Sequence, residues 1–190
     1  MATSLVEIEG FLINQELRHK VDEERDCIMT GFSMENYLDS DGDHHLQIVI
    51  KLEESGEFIK VFTPSCYQYS GPNQGVLFQV LLMVSWKTKM IQFEYDHSDG
   101  EVRAVVEFPL EDSILTEKQL MRAVVSLAQI IDRYNQTIET AMTEGIVTFD
   151  DNEEGQMMEL LQQMLSAAQD VSENETPDGD DDDDDDMEFI

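Results

Sequence analysis

Basic residues are scarce in this chain. Its 190 residues include 11 Lys plus Arg against 42 Asp plus Glu, a formal net charge of −31. A surface of that sign repels nucleic-acid phosphates and anionic lipid, so direct DNA, RNA or membrane binding is not expected. Cysteine is nearly absent as well. Cys27 and Cys66 supply no framework, and both sit among apolar neighbours, where a free thiol behaves as a small hydrophobe. They leave room for one disulfide. The segment Met1–Gly10, however, has no basic region and carries Glu7 and Glu9, so it does not read as a secretion leader. One cysteine pair in such a chain argues for a reducing compartment, and we expect a cytoplasmic protein. Long apolar runs are missing too: Val76–Trp86 is interrupted by Gln79 and Ser85 and is too short to span a bilayer.

Signatures of catalysis are also lacking. There is no P-loop and no G-x-G-x-x-G. Cys27 or Cys66 would need His19 or His97 as a base, and no glycine turn or base spacing supports that pairing. The run Asp39–His45 invites a calcium reading. An EF-hand loop needs glycine at its sixth position and glutamate at its twelfth, and here those positions are His44 and Ile50. An acidic turn before a strand is the expected reading. His44 and His45 are neighbours that a strand would point to opposite faces, which is poor geometry for one metal ion. We expect no enzyme activity, no cofactor and no metal.

What is present is a chain with enough apolar residues, 41%, for a real core, and a regular alternation of elements. Ser4 and Glu7 fit a capping box, followed by Leu5, Ile8 and Leu12 at helical spacing. A strand is expected between Cys27 and Leu38. Leu46, Ile48, Ile50 and Leu52 then alternate, Glu54-Ser55-Gly56 turns the chain, and Phe58–Phe62 returns. Gly71-Pro72-Asn73 closes this section, with Asn73 as N-cap for a helix from about 74 to 88. Ile91, Phe93 and Tyr95 lead to an Asp99-Gly100 turn, after which Val102, Ala104, Val106 and Phe108 lead away; Pro109 ends the pairing. Thr116–Gln119 forms a second capping box, and Leu120, Val124, Leu127, Ala128, Ile131 and Ile138 mark one face of a long helix.

The expected class is therefore α+β: a two-layer α/β sandwich on an antiparallel sheet, in the order α-β-β-β-α-β-β-α. Residues 1–145 form this domain, and 146–170 form a polar linker and a short amphipathic helix marked by Met157, Leu161, Met164, Leu165 and Ala168. Residues 171–190 form an acidic tail expected to be disordered, because the run Asp180–Asp186 cannot bury anything and repels itself. From Asp150 onward there are 17 acidic residues and no basic ones, leaving 25 acids against all 11 bases before it. The chain closes on an apolar tip, Met187–Ile190.

Three segments carry a resemblance: the Phe93–Phe108 hairpin with its Asp99-Gly100 turn, the exit Phe108–Asp112, and the helix start Leu115–Leu120. With the element order, they resemble type III secretion chaperones and, more closely, their YbjN-type relatives, over roughly Leu5 to Thr143. That resemblance implies a two-layer fold, commonly dimeric, that holds partner segments on its surface and performs no chemistry. Secretion chaperones proper are likewise small and acidic; the acidic tail and the Met-rich extra helix depart from the pattern.

Two surfaces are candidates for binding. The segment Val76–Trp86 is apolar all round, and a helix apolar on every side must be covered on every side. A two-layer domain covers only part of it, so Val76, Val80, Leu81, Met83 and Val84 are expected at a homodimer interface. The sheet needs one face for its own helices; Val49, Phe58, Phe62 and Val105 are apolar on the other and are the expected client-binding residues, provided the register holds. Met142, Met157, Met158 and Met164 would suit a surface that accepts varied apolar partners. The function expected is a chaperone-like or adaptor module that holds apolar segments of a client protein. The alternative is an acidic decoy that occupies a nucleic-acid-binding protein by imitating phosphate charge.

Overall fold

A computed structural model of the chain describes residues 3–149 except residue 112. The amphipathic stretch around Met157–Ala168, the acidic run and the Met187–Ile190 tip lie outside the described residues. The chain divides into a unit Met1–Thr148 and a second unit Phe149–Ile190, of which only Phe149 is described.

The first helix, α1 (Leu5–Asn14), starts at the expected box: the Ser4 hydroxyl accepts from the Glu7 amide at 3.3 Å, and the Glu7 carboxylate accepts from the Ser4 amide at 3.0 Å. Then come β1 (His19–Asp22), β2 (Cys27–Ser33), β3 (His45–Glu53) and β4 (Phe58–Gln68). The helix α2 (Gln74–Lys87) crosses to the hairpin β5 (Gln92–Tyr95) and β6 (Glu101–Pro109), and α3 (Glu117–Thr143) closes the unit. All strands pair antiparallel in the order β1-β2-β3-β4-β6-β5, so β1 and β5 are the edges.

The sheet thus has one strand more than expected. His19-Lys20-Val21-Asp22 holds a single aliphatic residue in four, which gives no readable alternation; it becomes a strand by pairing with Cys27–Thr30. Among the described residues helices cover one face of the sheet, with α1 and α2 each packing on α3 and α3 on β4 and β6. The covered face is lined by Ile28, Leu46, Ile48, Ile50, Ile59 and Val61, all buried. Against it lie the stripe residues of α3 from Leu120 to Ile138, each buried as its spacing implies.

Three local features hold this frame. Gly56 turns β3 into β4 with φ +89°; a Cβ there would lie 2.2 Å from the Thr3 carbonyl oxygen, so only glycine fits. In β4, Thr63 pairs with Ala104 but Tyr67 pairs with Val102, so the strand carries two extra residues. The Glu101 carboxylate closes this bulge by accepting from the Ser65 amide at 2.9 Å while pairing with Arg103. Asp132 on α3 holds the β2–β3 connection. Its Oδ1 accepts from the amides of Glu35, Asn36 and Tyr37 at 3.1, 2.8 and 3.0 Å. Beside it the buried Asn135 amide donates to the Asn36 carbonyl at 3.0 Å and accepts from the Tyr67 hydroxyl at 3.0 Å. Asn73 does stand before α2, but its side chain makes no cap bond there. It donates to the Met142 carbonyl at 2.9 Å, joining the start of α2 to the end of α3.

Candidate functional site

Register decides what the open face of the sheet presents. Lys20, Met29, Val49, Phe62, Val105 and Gln92 stand opposite one another, strand by strand, in a single row across all six strands. Three of the four residues expected to bind a client therefore share this row, and Phe58 lies on the same face, opposite Glu53 and Pro109. Their availability differs. Val105 is only 2% exposed, while Val49, Phe58 and Phe62 are half-buried.

Charged pairs guard this row on one side. The Lys60 ammonium sits 2.7 Å from Glu107 and 3.1 Å from Glu94, and Lys51 sits 3.0 Å from Glu53. Burial pulls the Lys60 pKa down, but hydrogen bonds from the ammonium to Glu107 and Glu94 outweigh it and hold the pKa above its ordinary value. The Phe62 ring is flanked by Lys60 at 6.0 Å and Arg103 at 5.8 Å from its centroid, which covers its faces with cations.

A more exposed apolar surface lies on α2. Leu77, Val80, Leu81 and Val84 point into the core. Of the five residues expected at a dimer interface, Val80, Leu81 and Val84 are thus committed to the chain's own interior, and Val76 and Met83 are half-buried. The outward positions are Leu82, 71% exposed, and Trp86, 90% exposed. The all-round apolar pattern could not say which side faces inward, because that phase is set by α3 and β5.

The outward face of α2 continues onto the edge strand β5. Phe78 meets Tyr95 edge-on, with ring centroids 4.8 Å apart. A cavity of about 310 Å³ opens between the two elements, lined by Phe78, Leu81, Leu82 and Ser85 of α2 and by Phe93, Glu94 and Tyr95 of β5. Next to it, Gln79, Leu82, Met83, Trp86 and Lys87 line an apolar hollow of about 270 Å³. Among the described residues no strand pairs with the far side of β5. Exposed apolar side chains beside free backbone donors and acceptors form a surface suited to an extended peptide segment.

The two cysteines are not poised as nucleophiles. Burial pushes the Cys66 thiol up to about 11, and the thiol donates to the Val102 carbonyl at 3.2 Å. Burial and then the nearby Asp22 raise the Cys27 thiol as well. Thiolate is the nucleophilic form, and the raised values disfavour it in both groups. The Asp39–His45 segment folds as an acidic turn: Asp39 Oδ1 accepts from the amides of Asp41 and Asp43, each at 2.9 Å. Among the described residues no group of three or more His, Cys, Asp or Glu is placed to hold a metal ion, and no helix is long and apolar enough to cross a membrane.

No family model and no curated protein matches the sequence. Among solved structures, YbjN from E. coli aligns with a TM-score of 0.51 at 9% identity, over 72% of this chain and 94% of YbjN. The chain shares the YbjN fold. The HopA1-SchA chaperone–effector complex contains a chain that aligns at TM-score 0.44 and 12% identity, over 68% of this chain and 88% of that one. The heterodimeric ExoU-SpcU complex, from the type III secretion system of Pseudomonas aeruginosa, aligns at 0.42 and 16%, over 72% and 98%. At such identities the likeness concerns fold, and function has to be argued from surfaces.

Proposed function

We propose that this chain is a non-catalytic protein-binding module that holds an apolar, extended segment of another protein, as a chaperone or adaptor does. The observation that carries the proposal is the junction of α2 and β5, where Leu82 and Trp86 stand exposed beside an unpaired strand edge. A client strand laid along β5 would gain main-chain hydrogen bonds and place alternate side chains against Phe93, Phe78 and Leu82. Val49, Phe58 and Phe62, on the open face of the sheet, offer a second and shallower contact area. The buried, free thiols Cys27 and Cys66 fit a reducing, cytoplasmic setting. A second copy of the chain is the competing occupant of the α2 face, and a homodimer there would use Met83 together with the exposed Leu82 and Trp86 in place of the buried Val80, Leu81 and Val84.

The test is suppression of aggregation of chemically denatured citrate synthase, without nucleotide, by the full chain and by a Leu82→Glu, Trp86→Glu variant. The parent should suppress aggregation and the folded variant should not. Equal suppression by both would remove the α2–β5 surface as the binding site. An order-of-addition gel shift addresses the decoy alternative, since only a phosphate mimic would be displaced by DNA and by salt.

A further inference from the structure

A separate cavity, of about 470 Å³, lies where the end of β6 meets the start of α3. It shares no lining residue with the α2–β5 surface. Met90, Phe108 and Pro109 form its apolar side, and Lys118 and Arg122 stand on the other, one helical turn apart on α3. In a chain of net charge −31 most cations on the open sheet face are taken: Lys51, Lys60 and Arg103 each pair with at least one glutamate. Lys118 and Arg122 have no ion-pair partner among the described residues. Two acids near the cavity residues in the chain are engaged elsewhere. Glu117 accepts from Asn14 and Gln15, at 3.0 and 2.6 Å, and Glu107 pairs with Lys60.

The α3 terminus is not itself the attraction, since Thr116 and Gln119 already cap it reciprocally. The wall opposite the two cations has an unusual feature in Met90. Its φ of +73° is a left-handed conformation that costs a non-glycine residue free energy, yet a methionine stands there, 47% exposed and lining the cavity. Unpaired cations facing an exposed apolar wall complement one kind of ligand: an apolar side chain with carboxylates beside it.

We propose that this cavity binds an acidic, apolar peptide segment, in which Asp or Glu flanks a large apolar residue that packs on Met90, Phe108 and Pro109. Two carboxylates two residues apart in an extended strand are spaced to reach Lys118 and Arg122 together. Nucleic acid fits less well. Its phosphates continue past the two cations onto acidic surface, and at about 8 Å of screening length in physiological salt the local pair cannot neutralise them.

The experiment is fluorescence anisotropy of a fluorescein-labelled peptide, Gly-Asp-Phe-Asp-Leu-Glu amide, titrated with the full chain. Its Asn/Gln counterpart and a single-stranded oligonucleotide serve as comparisons. The acidic peptide should bind saturably and more weakly as salt rises, and the Asn/Gln peptide should bind about tenfold more weakly, since an exposed ion pair contributes up to about fivefold. Lys118→Glu with Arg122→Glu should lose at least as much. Met90→Gly should fold at least as stably, because glycine relieves the left-handed strain, and should still bind several-fold more weakly. Should the double reversal not fold, Lys118→Gln with Arg122→Gln provides the same reading. The proposal is overturned if the Asn/Gln peptide binds equally, if folded Lys118 and Arg122 variants bind like the parent, if the oligonucleotide displaces the peptide, or if no binding saturates by about 1 mM, the weak limit of a specific site.

Discussion

Leu81 and Leu82 are adjacent in sequence and opposite in environment, 4% against 71% exposed, and the reading of α2 stands on that difference. Leu81→Ala empties part of the layer between α2 and its own domain, a change that costs about 2–5 kcal/mol in well-packed cores. In a domain of this size each kcal/mol moves Tm by roughly 2–4 °C, so about 3 kcal/mol lowers it by about 6–12 °C. Leu82→Ala removes groups that water already reaches. Full burial of a leucine is worth roughly 2 kcal/mol, and less than a third of that is at stake, about 0.5 kcal/mol. Trp86→Ala, at a position 90% exposed, is expected to cost no more. Thermal unfolding followed by circular dichroism checks all three, run at two protein concentrations about a hundredfold apart, because association makes Tm depend on concentration. The reasoning fails if Leu82→Ala or Trp86→Ala lowers Tm as far as Leu81→Ala at both concentrations, since the helix would then face the other way. A loss confined to the higher concentration would instead give the surface to a second copy of the chain.

Two further predictions concern the frame. Gly56→Ala forces a left-handed residue and a Cβ against the Thr3 carbonyl, and it should cost about 2 kcal/mol or more in urea unfolding; a neutral result would mean that the β3–β4 turn is free to rearrange. Asp132→Ala should cost about 1–2 kcal/mol at neutral pH, because three amides lose their acceptor at a partly solvated site. Burial raises the Asp132 pKa, but the amides of Tyr37, Asn36 and Glu35 outweigh it and hold the carboxyl below its ordinary value. A folded pKa below the unfolded one stabilises above the unfolded value, near 4, and that contribution is lost as pH falls through the folded value. The gap between parent and variant should therefore narrow in urea titrations from pH 6 down to pH 3, about one unit below the unfolded value; a gap constant across that window would show that the charge on Asp132 contributes nothing.

Much of the fold was legible because its signals are local. Capping boxes at Ser4 and Thr116, alternation in Leu46–Leu52 and Val102–Phe108, and the 3.6-residue stripe of α3 each act within a few residues. β1 was missed because nothing within His19–Asp22 marks it, and its partner strand makes it. The phase of α2 was unreadable for a related reason. A helix apolar at nearly every position carries no internal direction, so three residues assigned to an interface are buried in the domain, and the exposed Leu82 and Trp86 were not among the five assigned. The sheet-face residues fared differently: period two put Val49, Phe62 and Val105 on one side, and the register aligned them. That Arg103 would flank Phe62 depended on the pairing of β4 with β6, strands far apart in the chain. Asp132 likewise lies 95 residues from Tyr37, and no local pattern joins them.

The two edges of the sheet locate the most adhesive part of the described surface. Unpaired strand edges invite association, and proteins protect them with short strands and charge. Both edges here are four residues long. At β1 the protection is completed by side chains: Lys20 and Asp22 occupy the open face, and His19 on the other side is 3.5 Å from Glu9 of α1. At β5, Glu94 on the open face is drawn toward Lys60, away from the free edge. On its covered side Phe93 and Tyr95 open toward Phe78 and Leu82, with no charged residue lining the cavity between them except Glu94. An edge left apolar on an otherwise strongly charged chain carries an association hazard, and the net charge of −31 opposes aggregation without filling it. A bound segment removes the hazard by pairing the edge and covering Leu82 together. On that argument the α2–β5 junction, more than the guarded open face of the sheet, is where a partner gains most.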